Sequence, residues 1–267
     1  MTKRRRHDSA GGRQRRRGPG PQGELLYGRQ PVLESLRAGR RQHRRLLISS
    51  SKKSSNELDQ LRDTAASFGV PVEEAKAEVF EGQLADANHQ GVALETSPYV
   101  YASIDDVLGK RIPSLEPLIV ILDHVQDPQN VGSLLRSSDG AGVQGVIIPK
   151  DRACRVTPAV VRASAGAAEH MLVAEVTNLV RTMKLLKDRE FWLAGLEACE
   201  RARLCRETDL SGPIGLVVGS EGRGVGRLVH ETCDFLVKLP MHGKVNSLNV
   251  GVATAIALYE IRRQQEK

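Results

Sequence analysis

The chain of 267 residues carries 40% hydrophobic and 27% charged side chains, proportions typical of a globular protein with a buried core. This length predicts about two domains. No apolar run approaches the roughly 20 residues of a membrane-spanning helix, so we expect no membrane association. The four cysteines form no C-x-x-C pair and no secretory segment follows the basic start, so we expect reduced thiols and a cytoplasmic location. The formal net charge is +7 at pH 7.

The positive charge is concentrated at the start of the chain. Residues 1–17 hold eight Lys and Arg against one Asp, a balance of +7, and the remainder holds 31 basic and 31 acidic side chains. Residues 1–23 are rich in Arg, Gly and Pro and almost free of apolar side chains, so we expect a disordered basic tail. Such a tail attracts polyanions, usually RNA or DNA.

A small α/β domain is predicted over residues 24–96. Val32, Leu33 and Leu36 share one face of a helix, and a second helix has Asn56 as its predicted cap and ends at Gly69. The predicted strands are 46–48, 70–72 and 92–94.

A second basic run lies within this domain. Residues 37–53 carry seven basic side chains and no acidic one. Taken alone, such a run is often only a solvated helix end and loop, but beside the basic tail we interpret it as an RNA-facing patch. The candidate RNA-binding residues of this run are Arg40, Arg41, Arg44 and Arg45.

Residues 97–116 are predicted to be a linker with one helical turn, and residues 117–267 a second domain. Six apolar runs alternate there with helical patterns, which indicates an open parallel α/β sheet. Residues 140–145 match G-x-G-x-x-G, but they follow a helix and precede a strand, so we interpret them as a helix end rather than a dinucleotide site. The predicted strands are 118–122, 146–148, 171–173, 191–194, 216–218 and 235–237.

Ligands bind open parallel sheets beyond the carboxyl ends of the strands, and three loops there carry unusual side chains. The first loop places Asn130 as the predicted cap of a helix and Arg136 about a turn and a half further on. The second, residues 218–224, sets Glu221 among glycines directly after an apolar strand. The simpler interpretations are that Asn130 is only a helix cap, that Arg136 is only a surface residue and that residues 218–224 form a plain glycine turn. A carboxylate among glycines, however, favours close approach of a ligand.

The third loop, residues 239–249, contains Ser247 and Asn249 on either side of Leu248. Both polar side chains could simply cap the following helix. Because they flank an apolar residue after a strand and a Pro-Met turn, we interpret this segment as the floor of a pocket.

The three loops, in this order, resemble the sequence motifs of the SpoU/TrmH branch of the SPOUT RNA methyltransferases. The motifs read N-x-G-x-x-x-R from Asn130, G-S-E-G-x-G from Gly219 and P-M-x-G-x-x-x-S-L-N-V from Pro240. Residues 26–36 and 89–92 resemble the substrate-binding domain of bacterial large-subunit rRNA 2′-O-ribose methyltransferases of the RlmB type. The resemblance covers about residues 24–265.

This resemblance implies an α/β fold with a deep C-terminal trefoil knot, preceded by an L7Ae/L30e-like domain. It also implies S-adenosylmethionine as the cosubstrate and a homodimer with its active site near the interface. No metal is expected, because the histidines form no H-x-H or H-x-x-x-H pair. The implied cofactor-binding residues are Gly219, Leu239, Met241, Ser247 and Leu248. The implied catalytic residues are Asn130, Arg136, Glu221, Ser247 and Asn249, with Arg136, His89 and Gln90 as further RNA contacts.

The activity expected from the resemblance is 2′-O-ribose methylation of 23S rRNA, at a guanosine, with free rRNA or the assembling large ribosomal subunit as the partner. Because a guanidinium is effectively always charged, we interpret Arg136 as a phosphate ligand that lowers the pKa of the ribose hydroxyl, while the proton leaves through water or Glu221. Two alternatives stay open: a tRNA ribose methyltransferase of the same family, and a non-catalytic RNA-binding or ribosome-assembly protein on this fold.

Overall fold

A computed structural model describes residues 23–51, 55–85 and 87–266. The predicted basic tail lies outside these residues apart from Gly23, and so does the end of the second basic run, residues 52–53. None of the helices in the described ranges combines the length and the hydropathy needed to cross a bilayer.

The N-terminal unit of the described chain is built on a four-stranded sheet. Its elements are β1 (Glu24–Tyr27), α1 (Arg29–Ala38), β2 (His43–Ser49), α2 (Asn56–Ser67), β3 (Val72–Ala75), α3 (Ala77–Gln83) and β4 (Val92–Thr96). The strand order is β1-β4-β2-β3, in which β4 is antiparallel to both its neighbours and β2 is parallel to β3. The helix α4 (Ile104–Gly109) follows.

The C-terminal unit is a seven-stranded parallel sheet with helices between its strands. Its strands are β5 (Leu118–Asp123), β6 (Gly145–Pro149), β7 (Val173–Val176), β8 (Trp192–Leu196), β9 (Arg203–Leu204), β10 (Ile214–Gly219) and β11 (Phe235–Lys238), in the order β7-β6-β5-β10-β8-β11-β9. Its helices are α5 (Pro128–Gly140), α6 (Pro158–Ala163), α7 (Leu179–Lys187), α8 (Arg227–Thr232) and α9 (Val250–Gln265). The predicted α/β class and open parallel sheet are confirmed.

The central strands β5 and β10 position the loops that form the candidate site. Every residue of β5 and β10 is buried, as expected for strands with helices on both faces. The two strands pair in parallel, with Gly219 opposite Asp123 at their carboxyl ends. The loops that follow them therefore leave the sheet side by side, and the loops after β8 and β11 leave the same edge because those strands are the next parallel neighbours.

Two predicted helix caps are wrong by a few residues. Asp127, not Asn130, caps α5: its carboxylate accepts hydrogen bonds from the backbone N–H groups of Gln129 at 3.3 Å and Asn130 at 3.2 Å. Pro occupies the first helical position, which its missing N–H and fixed φ suit, so the helix starts two residues before Asn130. Likewise Ser55 caps α2, and Asn56 is the first helical residue.

The remaining differences fall mainly on short or polar elements. The strands β1 and β9 and the helix α3 were not predicted, because two to seven residues carry too little periodicity to identify. The edge strand β3 contains two glutamates and overlaps the predicted strand 70–72 only at Val72. In contrast, Gly142 adopts a φ of +63° just after α5, which confirms the helix end predicted for residues 140–145.

A buried ion pair joins the two units. The Arg41 guanidinium pairs with the Glu169 carboxylate at 2.7 Å, and each side chain is 1% exposed. Arg41 also donates to Glu24 at 2.6 Å and to the Ser97 carbonyl at 3.2 Å. The prediction that Arg41 contacts RNA is therefore wrong, since all of its donors face the protein interior. A charge run does not reveal that one of its members has a buried partner 128 residues away.

Arg40 also joins the two units. Its half-buried guanidinium donates to the carbonyl oxygens of Met171 and, at 3.1 Å, of Val100, and it lies 5.6 Å from the centre of the Tyr99 ring. These contacts contradict an RNA-facing role for Arg40. Arg45 forms ion pairs with Glu73 and Glu95 on the neighbouring strands, and Arg44 is exposed, so an RNA contact through these two stays a prediction.

Candidate active site

A first cavity, of about 660 Å³, opens at the carboxyl ends of β8, β10 and β11. Its walls are formed by the residues that follow these strands and by the start of α9. The five residues for which cofactor binding is predicted all line this cavity: Gly219, Leu239, Met241, Ser247 and Leu248. Loops that are distant in sequence therefore meet around one concave space of the size that small-molecule ligands occupy.

The glycine-rich turn after β10 folds back onto its own strand. A Cβ atom on Gly219 would lie 2.2 Å from the backbone of Gly224, a separation no side chain tolerates. Gly222 and Gly224 have φ values of +82° and +65°, in the left-handed region that glycine adopts without strain. These three positions require glycine, and the tight turn that they form presents Glu221 at its exposed tip.

Three of the predicted catalytic residues are hydrogen-bonded to one another, and we refer to Asn130, Glu221 and Asn249 as the Asn249 cluster. The Asn249 Nδ2 amide donates to Asn130 Oδ1 at 2.7 Å and to Glu221 Oε1 at 2.8 Å. The backbone N–H of Val250 donates to the same Glu221 oxygen at 3.1 Å. The cluster therefore joins the three motif loops through directed hydrogen bonds.

Asn249 is also the N-cap of α9. Its Oδ1 accepts hydrogen bonds from the backbone N–H groups of Gly251 at 2.9 Å and Val252 at 3.3 Å. Asn249 is therefore a helix cap, and it also lines the first cavity as predicted for this loop. The cap fixes the side chain so that its amide nitrogen points toward Glu221 and Asn130.

A second cavity, of about 610 Å³, lies on the other side of the glycine-rich turn. It is bounded by the loops after β5 and β6 and by the turn itself. Ser220, Glu221 and Gly224 line both cavities, and Asn130 lines the second one. The Asn249 cluster therefore stands at the boundary between two adjoining spaces, an arrangement suited to bringing two molecules together.

Arg136 does not join the Asn249 cluster. It is exposed on α5 and lines neither the first nor the second cavity. Ser247 lines the first cavity without belonging to the hydrogen-bonded group. Of the five predicted catalytic residues, the structure thus brings three into direct contact, sets one on the wall beside them and leaves Arg136 outside.

Glu197 is a residue of the candidate site that was not predicted from the sequence. It follows β8 directly and lines the first cavity. Its Oε2 atom is buried and accepts no hydrogen bond from the described residues, although His230 Nε2 lies 3.4 Å away. A carboxylate directly after an apolar strand is the same signal that identified Glu221, and it would have found Glu197 as well.

His89 and Gln90 lie in the turn before β4. The Nδ1 atom of His89 accepts a hydrogen bond from the Gly91 N–H at 3.0 Å, and its ring stacks on Phe80. Gln90 has a φ of +56°, and its side-chain oxygen accepts from the Arg29 N–H at 3.0 Å. Both side chains shape the turn, and their contact with RNA stays a prediction.

The open parallel sheet and the two adjoining cavities at the carboxyl ends of its strands define an α/β protein with space for two ligands. Two family models match the chain: the SpoU rRNA Methylase family over residues 117–259, and the RNA 2′-O ribose methyltransferase substrate-binding domain over residues 25–102. The chain belongs to the SpoU family of RNA methyltransferases.

Similar proteins agree with this family. The chain is 38% identical over 245 residues to YacO of Bacillus subtilis, named as a TrmH family tRNA/rRNA methyltransferase, with 91% of this chain and 97% of that one covered. Among solved structures, the SpoU methyltransferase AviRb from Streptomyces viridochromogenes, in complex with AdoMet, has a TM-score of 0.75 at 24% identity and covers 91% of this chain and 90% of that one. The TrmH/SpoU tRNA modifying enzyme of A. aeolicus has a TM-score of 0.52 at 31% identity, over 60% and 80% of the two chains.

Proposed function

We propose that the protein transfers a methyl group from S-adenosylmethionine to the ribose 2′-oxygen of a guanosine in 23S rRNA, in the cytoplasm and during assembly of the large subunit. The observation that carries this proposal is the Asn249 cluster, which stands between the two cavities. In this arrangement the methyl donor occupies the first cavity and the target nucleotide the second, with Glu221 between them.

The residues of the first cavity fit this methyl donor. Its volume suits a molecule of nucleoside size, and Leu239 and Leu248 offer apolar contact to a base. The buried Oε2 of Glu197 lacks a hydrogen-bond donor within the described chain, and a ribose hydroxyl or an ammonium group would supply one. The solved AviRb structure holds AdoMet on the same fold.

The bound donor would supply an activated methyl group on sulfur. In the reaction the bond from the ribose 2′-oxygen to the methyl carbon forms, the bond from sulfur to that carbon breaks, and the 2′-hydroxyl loses its proton. Asn249 and the Val250 N–H fix Glu221 through Oε1, and its Oε2 accepts the proton directly or through water. Asn130 helps to position the nucleotide, and the exposed Arg136 binds its phosphate.

The first test replaces the proton acceptor. The Glu221→Gln variant keeps an oxygen for Asn249 and Val250 but cannot accept a proton, so we expect methyl transfer to 23S rRNA to fall at least about 100-fold, the size typical of the loss of general-base catalysis. Affinity for S-adenosylmethionine should change little. Incorporation of tritiated methyl groups and calorimetry measure the two quantities.

The two open alternatives give different outcomes in the same assay. Wild-type protein that binds RNA but incorporates no methyl group into any RNA would support the non-catalytic alternative. Methylation of tRNA in preference to rRNA would support the second candidate, which is favoured by the tRNA/rRNA name of YacO and by the tRNA modifying enzyme of A. aeolicus. Mapping 2′-O-methyl positions in RNA from a deletion strain identifies the nucleotide.

The proposal includes the domain roles expected from the sequence. Residues 24–96 bind the RNA substrate, residues 97–116 link the domains, and residues 117–267 carry out methyl transfer. The loops that contribute the Asn249 cluster would cross in the C-terminal trefoil knot, and residues 1–23 would add electrostatic attraction to RNA.

The proposal also includes a homodimer formed through α9. Val252, Ile256 and Tyr259 are 46–58% exposed and lie on one helical face, at the spacing of residues that pack against a neighbour. A second copy would bury this stripe beside the first cavity. We expect Ile256→Glu to convert dimers to monomers in sedimentation analysis, because a charge would enter the interface. The control Leu228→Glu changes an exposed leucine on α8, outside this stripe, and should leave dimers intact.

A further inference from the structure

Two residues with strained backbone line the second cavity. His124 has a φ of +60° and Arg152 a φ of +58°, a region that residues other than glycine seldom adopt. They lie on the loops after the adjacent strands β5 and β6. The two loops are tied together, because the Gln126 side chain donates to the Arg152 carbonyl at 3.2 Å and the Cys154 N–H donates to the Val125 carbonyl at 2.9 Å. Two positive φ values at non-glycine residues around one cavity indicate that the side chains of these residues have a function there.

The His124 ring is held by a buried carboxylate. Asp123, at the end of β5, is 1% exposed; one of its oxygens binds the Nδ1 atom of His124, and the other accepts a hydrogen bond from the Gly226 N–H at 2.7 Å. The same carboxylate therefore orients the imidazole and anchors the start of α8. With Nδ1 engaged by Asp123, the Nε2 atom is the one left to meet a ligand, and 44% of the side chain is exposed.

The arginines of the second cavity are available to bind an anion. Arg152 and Arg223 both line it, and neither guanidinium has a hydrogen-bond or ion-pair partner within the described ranges. The two carboxylates that also line it are already engaged: Asp127 caps α5, and Glu221 accepts from Asn249 and Val250. Two guanidinium groups without a partner in the described ranges and an oriented imidazole therefore line the same space and can donate hydrogen bonds to an anion.

We infer that His124, Arg152 and Arg223 form a subsite that binds the RNA phosphates flanking the methylated nucleotide. This inference rests on the proposed function and adds a substrate-positioning role to three residues that are not fixed positions of the motifs. One guanidinium group can bind two phosphate oxygens at the same time. Because the subsite shares its boundary with Glu221, the phosphates that it holds would lie next to the reacting ribose. The three side chains position the substrate and take no part in the chemistry.

The test uses His124→Gly and Arg152→Gly, which remove the side chain and place glycine where φ is positive, together with Arg223→Ala. We expect each variant to raise KM for in vitro transcribed 23S rRNA about 10-fold or more, the effect expected when one hydrogen bond to a charged group is removed. The slope of log affinity against log salt should fall by about 0.7–0.9 for each phosphate that the variant no longer neutralises. Arg152→Gly should melt near the wild-type temperature, because relief of the positive φ offsets the added freedom of the unfolded chain, and His124→Gly should melt lower, because the buried Asp123 carboxylate loses a partner. Affinity for S-adenosylmethionine should not change in either variant.

Two control variants separate these effects from general ones. Arg181→Ala removes an exposed arginine that lines neither cavity, and Glu190→Gly relieves a φ of +66° elsewhere. Both should keep the wild-type KM and salt slope. Unchanged KM and slope in all three subsite variants would overturn the inference. Wild-type protein that fails to methylate RNA would contradict the proposed function instead, and in that case the salt slopes from filter binding still decide whether the subsite binds phosphate.

Discussion

At the scale of single residues, Asn249 shows how one side chain serves stability and chemistry together. Its Oδ1 caps α9 while its Nδ2 fixes Glu221 and Asn130. The sequence predicted that Asn130, Glu221 and Asn249 belong to one site, because each lies in a loop after a predicted strand and the three loops together resemble the motifs of one enzyme family. The sequence could not show that Oδ1 of Asn249 caps the helix while Nδ2 contacts Glu221 and Asn130, because both roles favour an asparagine at this position.

Asn249→Asp separates the two roles. Aspartate is an equally good helix cap, so we expect the melting temperature to stay within a few degrees of wild type. An oxygen would replace the amide nitrogen that faces Glu221, and repulsion between the two carboxylates should lower methyl transfer at least about 10-fold. Asn249→Ala should lose both functions and about 1 kcal/mol of stability. Thermal denaturation and the methyl-transfer assay measure these effects, and a fully active Asp variant would contradict the assigned role.

At the scale of elements, the long buried strands were predictable and the short or polar ones were not. Continuous apolar runs identified β5 and β10, because both faces of these strands are covered. The two-residue strand β9 is defined only by its pairing with β11, which is a tertiary contact. The cap of α5 was misassigned because both Asp and Asn in Asp-Pro-Gln-Asn are good caps. Proline is favoured at the first helical position, so the cap is the residue before it, Asp127.

The fold-back of the glycine-rich turn onto β10 gives an element-scale prediction. Gly219→Ala would place a Cβ atom 2.2 Å from the Gly224 backbone, so the turn must shift, at a cost of about 1–3 kcal/mol. The same shift should weaken S-adenosylmethionine binding. Gly212→Ala is the matched control, because no atom lies within 4 Å of its Cβ position. Urea denaturation and calorimetry test both variants; equal stability of the two would show that the turn is not closely packed.

At the scale of the whole molecule, the Arg41–Glu169 pair fixes the N-terminal unit on the methyltransferase unit. Arg41→Ala leaves the buried Glu169 carboxylate without its cation, so we expect a loss of about 3–5 kcal/mol in chemical denaturation. Arg45→Ala removes a partly exposed arginine with two glutamate partners and should cost about 1 kcal/mol or less. Similar losses in the two variants would mean that the interface does not depend on this pair.

The span of the Asn249 cluster has a consequence for how the enzyme is made. The amide that organises the cluster comes from a residue 119 positions after its partner Asn130. Because ribosomes deliver chains from the N-terminus, a nascent protein exposes Asn130 and Glu221 well before Asn249 emerges from the exit tunnel. The growing polypeptide therefore lacks an assembled site for most of its synthesis. During that time it is attached to a ribosome, which contains the class of RNA that we propose as its substrate.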